Sequence, residues 1–212
     1  CFFGVNGASG LIQSALIAMA NPGETILMPR NVHISVIKTC AMQNILPLFF
    51  DLEFSSDTGH HKPITKTWLK NVFKKIDFNE KKIVGVILVS PSYHGYAGDL
   101  EPLIDLCHQK NLPVLVDEAH GSYFLFCENL NLPKSALLSN ADLVVHSLHK
   151  SLNGLTQTAA LWYKGNLVNE HNLIKSINLL QTTSPSSLLL SSCEESIKAV
   201  SYTHLTLPTI RE

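Results

Sequence analysis

The fold is decided by residues 83–121, IVGVILVSPSYHGYAGDLEPLIDLCHQKNLPVLVDEAHG. The stretch opens on Ile83–Val89, apolar at nearly every position. It passes through a helical pattern at Leu100–Lys110 and returns to a second apolar run, Val114–Val116. A strand with one face in water alternates apolar and polar residues, whereas a strand apolar on both faces is covered by helices above and below. Two such strands joined by a helix predict a parallel pair inside an α/β sheet.

The same alternation continues outward. Toward the C-terminus, Leu143–Val145 and Ala159–Tyr163 read as strands, and Val168–Leu180 and Ser186–Lys198 as helices. Toward the N-terminus, Thr65–Ile76 is an amphipathic helix carrying Trp68, Leu69, Val72, Phe73 and Ile76, and Ser55–Pro63 reads as a polar loop. Ile45–Phe50 is a strand that Pro47 assigns to an edge, since proline cannot donate to a ladder. Val32–Gln43 carries a helical stripe, Thr25–Met28 is a short strand, and Leu11–Ala20 is a helix stopped by Asn21-Pro22-Gly23. Phe2–Gly10 reads as the end of a strand entering a loop. The expectation is an α/β domain with a mostly parallel sheet flanked by helices.

Sixteen Lys and Arg against 17 Asp and Glu leave the 212-residue chain almost neutral, which argues against nucleic acid or an anionic membrane as partner. With 45% hydrophobic and 16% charged residues it can bury a core. No apolar run approaches the roughly 20 residues of a spanning helix. Five cysteines, odd in number and without a C-x-x-C pair, point away from a disulfide framework or a zinc site and toward a reducing cytoplasm. The chain opens on Cys1, without a signal peptide, and is expected to be a piece of a longer one. Ten codons, GTCTCTTATACACATCTGACGCTGCCGACG, would encode Val200–Thr209, and that string resembles a transposase-type sequencing adapter. Residues 1–199 are therefore taken as the domain and 200–212 as a translated tail.

In open α/β sheets ligands bind beyond the carboxyl ends of the strands, and four such ends carry chemistry. Asn6-Gly7-Ala8-Ser9-Gly10 runs into a helix whose free N–H groups can hold phosphate, although a plain turn reads equally well. Asp117, followed by Glu118-Ala119-His120, ends a buried strand and needs a cation or strong donors, unless it only caps the next turn. Lys150, flanked by Ser147 and His149, is a Schiff-base candidate against the commoner solvated lysine. His33 opens a helix and can face a ligand or pack. The His146-x-x-His149 pair finds no third ligand, so no metal is expected. A phosphate cradle, a carboxylate for a ring nitrogen, a histidine and a lysine together are the parts of a pyridoxal phosphate site.

The chain also resembles the major domain of the bacterial ornithine/lysine/arginine decarboxylases over residues 2–198. The resemblance is carried by NGASG (6–10), PRNVHISV (29–36), SPSYHGYAGDL (90–100), VLVDEAHG (114–121), HSLHKSLNGLTQTA (146–159) and TTSPSSLLL (182–190). It implies an aspartate aminotransferase-like fold (fold type I) and decarboxylation of lysine, arginine or ornithine to the corresponding polyamine-type amine. By that resemblance Lys150 bonds the pyridoxal 5'-phosphate aldehyde, Asp117 pairs with the ring nitrogen, His33 stacks on one ring face and Ala119 lines the other. Ala8, Ser9 and Gly10 hold the phosphate with Ser147, and His149 serves phosphate or proton handling. The family further implies a homodimer, with Thr183-Ser184-Pro185 near the subunit boundary. Three features depart from relatives: His120 stands where some carry tryptophan, and Ala8 and Gly10 stand where some carry hydroxyl residues, leaving Ser9 as the cradle's side-chain donor. An α-oxoamine synthase or aminotransferase of the same fold is the alternative enzyme, disfavoured by Arg30 being the sole arginine before the tail. A binding protein that kept the fold is the non-catalytic alternative.

Overall fold

In the computed structural model, which describes residues 1–78, 80–126 and 131–206, strands β1 (Phe2–Gly4), β2 (Thr25–Pro29), β3 (Leu46–Phe50), β6 (Ile83–Val89), β7 (Val114–Asp117), β8 (Leu143–His146) and β9 (Ala159–Tyr163) form one seven-stranded sheet. Its order is β1-β9-β8-β7-β6-β2-β3, and β8, β7, β6, β2 and β3 pair in parallel. β9 runs antiparallel to both β8 and β1. The sheet is mostly parallel, as the apolar strands imply, and Pro47 lies in the edge strand β3.

Helices cover both faces. Helix α1 (Gly7–Met19), α2 (Ile34–Gln43) and α6 (Glu170–Leu180) bury one core, with Leu11, Leu16, Val36 and Leu173 packed against Ile87, Leu115, Leu143 and Val145. Helix α3 (Lys66–Lys74) and α4 (Glu101–His108) bury the other, with Leu69, Phe73, Leu103 and Ile104 against Val86, Leu88, Val114, Val116 and Val144. Successive residues of β7 therefore face opposite cores, as the two-residue strand period requires. Parity alone puts the Asp117 side chain on the α1/α2 face with Leu115. A short helix, α5 (Leu148–Ser151), follows β8, and α7 (Ser187–Thr206) closes the described chain.

The structure corrects several boundaries. Residues 55–63, read as a loop, contain a small antiparallel hairpin of β4 (Phe54–Ser55) and β5 (His60–His61). α1 begins at Gly7, so the expected cradle is the first turn of the helix itself. α2 starts two residues later than its apolar stripe, because His33 is its N-cap, with Nδ1 accepting from the Ser35 N–H at 3.2 Å. Lys150 lies within α5, not on the strand that precedes it. Among the described cysteines, Cys1, Cys40, Cys107 and Cys193 are free thiols; Cys127 lies outside the described residues. The expected domain boundary at 199/200 falls inside α7, and residues 207–212 lie outside the described residues. No helix among the described residues is long and apolar enough to cross a membrane.

Candidate active site

The carboxyl ends of β6 and β7, the start of α2 and the short α5 enclose a cleft of about 360 Å³, lined by His33, Val89, Tyr93, Asp117, Ala119, His120 and Lys150 among others. Four of the residues singled out from the sequence meet there: His33, Asp117, Ala119 and Lys150.

Asp117 is 8% exposed, and its Oδ1 accepts from the Ala119 N–H at 3.2 Å. That bond is the turn cap the sequence held open as an alternative. It leaves most of the carboxylate's acceptor capacity facing the cleft. Burial pushes the Asp117 pKa up, opposed by the Ala119 N–H and by the charges of Lys150, His33 and His120. A buried carboxylate in this condition is built to meet a cation. His33 lends its Nδ1 to the start of α2, which leaves its ring exposed at the cleft.

Lys150 Nζ donates to His120 Nε2 at 3.1 Å. Burial and the neighbouring Lys150 charge lower the His120 pKa, favouring the neutral ring that can accept this bond. The Tyr93 ring stands edge-on to His120 at 5.7 Å between centroids. The sequence marks His120 as a neighbour of Asp117 and as a departure from relatives, without a site role. A histidine three residues after a strand-end acid is a visible signal, but its pairing with Lys150 spans 30 residues and depends on the fold.

The other expected residues lie beside this cleft and do not line it. Ala8 and Gly10 are buried and Ser9 is half-buried in the first turn of α1. The Ser147 hydroxyl is buried, 3.3 Å from His149 Nδ1, and that nitrogen donates to the Thr158 carbonyl at 3.1 Å. The turn before β9 ties the two groups together. The Gln157 carbonyl accepts from the Gly7 N–H at 2.9 Å, and the Thr158 carbonyl also accepts from the Leu148 N–H at 3.1 Å. One short turn thus anchors both the start of α1 and the helix that carries Lys150.

Behind the cleft lies a network the sequence did not announce. Glu118 and His146 are fully buried, with Oε2 and Nε2 2.7 Å apart. Glu118 also accepts from Ser135 Oγ and from the Ala136 N–H, each at 2.8 Å. The Trp162 Nε1–H donates to His146 Nδ1 at 2.9 Å, so the His146 proton must sit on Nε2 and point at Glu118. Its metal-like spacing to His149 has this plainer explanation. Arg30 is bound to Asp51 at 2.6 Å, away from the cleft.

The fold and site define a class. The chain superposes with a TM-score of 0.78 on the Francisella novicida lysine decarboxylase LdcF, at 20% identity over 96% of this chain and 30% of that one. It superposes with a TM-score of 0.76 on the Escherichia coli constitutive lysine decarboxylase, at 21% identity over 92% and 28%. This is the fold of the aspartate aminotransferase-like pyridoxal phosphate enzymes. The family model described as Orn/Lys/Arg decarboxylase, major domain, matches residues 1–205, and the chain belongs to that family. It is 37% identical over 193 residues to an arginine decarboxylase of Bacillus cereus and 35% identical to one of Bacillus subtilis. It spans 41% and 38% of the length of these two relatives.

Pyridoxal phosphate is the cofactor of this class, and the residues present fit it. The cleft joins an amine to a buried carboxylate short of a cation. Beside it, the first turn of α1 has no side-chain bond from its cap residue, Asn6.

Proposed function

We propose that the protein decarboxylates a basic amino acid, arginine foremost, to the corresponding amine and carbon dioxide. The observation that carries this reading is the meeting of Lys150, Asp117 and His33 in one cleft, on residues 33 to 150 of a chain whose relatives are named arginine decarboxylases.

Removing the carboxyl group leaves an electron pair on Cα, and the bound cofactor is the sink that accepts it. The chain's own residues set up that event. Asp117, ionised, would keep a proton on the ring nitrogen of the bound cofactor. His33 and Ala119, which both line the cleft, would hold the ring of the bound cofactor between them. His120 Nε2 accepts a hydrogen bond from Lys150 Nζ at 3.1 Å, which would position the amine at the cleft for the cofactor's aldehyde. Ala8, Ser9 and Gly10 would hold the phosphate on the N–H groups of α1, with Ser147 and His149 kept alongside by the 157–158 turn.

The active protein is proposed to be a cytoplasmic homodimer. In a single chain residues 182–188 are exposed, with Leu188 at 68%, which suits a subunit boundary at Thr183-Ser184-Pro185. Residues 200–212 are read as a translated adapter and are given no role.

Replacing Lys150 by Ala is expected to abolish both turnover and the visible absorbance of the bound cofactor. Normal turnover in that variant overturns the reading. Incubation with arginine, lysine and ornithine, scored for carbon dioxide against keto acid, separates a decarboxylase from an aminotransferase.

A further inference from the structure

Gln181 ends α6 with an extended backbone, its N–H donating to the Ile177 carbonyl at 2.8 Å. Its side-chain Nε2 and Oε1 are both buried, and neither has a hydrogen-bond partner among the described residues. A buried amide without protein partners is costly unless a water or a ligand meets it. The neighbouring group is the first turn of α1. A Cβ built on Gly10 would lie 2.8 Å from Gln181 Nε2 and 3.4 Å from Asn6 Cβ, so any side chain at position 10 would displace the amide. α1 and α6 are stapled one turn further on, where Ser176 Oγ donates to the Ser14 carbonyl at 2.8 Å and Ser14 Oγ to the Ser176 carbonyl at 3.4 Å.

We propose that the Gln181 amide is a phosphate donor of the cofactor cradle, standing in for the side chain that Gly10 lacks. The inference rests on the cofactor reading above. Helix N-termini attract anions through free N–H groups, and a side-chain donor over the first turn adds to them. A half turn about the last side-chain bond lets the amide present either atom, and an anion selects the nitrogen.

The test compares pyridoxal phosphate with pyridoxal, which lacks the phosphate, titrated into the full chain by visible absorbance. Gln181→Leu is expected to weaken pyridoxal phosphate binding about tenfold, the worth of a hydrogen bond to a charged group, and to leave pyridoxal binding unchanged. Gln181→Glu should weaken it further, because a carboxylate then faces the phosphate, and Gly10→Ala should reproduce the loss by pushing the amide aside. Wild-type protein that prefers pyridoxal phosphate, with Gln181→Leu and Gln181→Glu matching it, overturns this inference alone. Wild-type protein that binds neither compound overturns the cofactor reading and this inference with it. Circular dichroism of each variant confirms that the fold is kept.

Discussion

The Asp117 carboxyl holds its proton more tightly in the folded chain than in the unfolded one, because burial disfavours its charge. The cofactor-free chain therefore loses stability as pH rises from the ordinary aspartate range, near about 4, through the raised folded pKa, and the loss persists above it. Asp117→Asn, which keeps an acceptor for the Ala119 N–H, should raise the Tm of the cofactor-free protein at neutral pH by about 2–4 °C. The same change should remove most cofactor-dependent activity, because an amide cannot hold the ring nitrogen charged. Scanning calorimetry and an activity assay on one preparation check both halves, and an unchanged or lowered Tm contradicts the first. This trade of stability for function is common at active sites. Asp117, Lys150 and His33 could be picked out in the sequence because each ends or follows a recognisable element. The Lys150–His120 and Gln181–Gly10 pairings could not, since each joins segments far apart in the chain.

At the scale of elements, Glu118 and His146 lock the ends of β7 and β8 to each other, to β9 through Trp162, and to the segment at 135–136. Both Glu118 oxygens face donors, so Glu118→Gln places an amide N–H₂ against another donor. The expected loss is about 1–3 kcal/mol in urea unfolding. Trp162→Phe in that background frees His146 to move its proton to Nδ1 and accept from the new amide at Nε2. Part of the loss should return, beyond what the two single changes predict by addition. Strand and helix identities were legible because their apolar periods are strong over residues 83–121 and in α3. Element ends were less so: the His33 cap shortened α2, and the hairpin at residues 54–61 rests on backbone pairing between segments with no alternating pattern. The placement of Lys150 on α5 escaped the sequence for a similar reason, a helix of four residues being too short to show a period.

At the scale of the whole molecule, the exposed Leu188 and the polar run before it are the surface on which the proposed dimer depends. Leu188→Glu should shift the protein toward monomer in sedimentation velocity and lower decarboxylation, with far-UV circular dichroism retained. A full dimer in that variant contradicts the assignment of this surface. The sequence by itself determined the α/β class, the two covered faces of the sheet, and the strand ends where chemistry would be found. Those follow from short-range periodicity, which any local window of the chain carries. Only the tertiary structure decided that Glu118 pairs with His146 behind the cleft, that His120 meets Lys150, and that Gln181 lies over Gly10. Such contacts are set by how the layers pack, and neighbours in space that are distant in sequence leave no periodic trace along the chain.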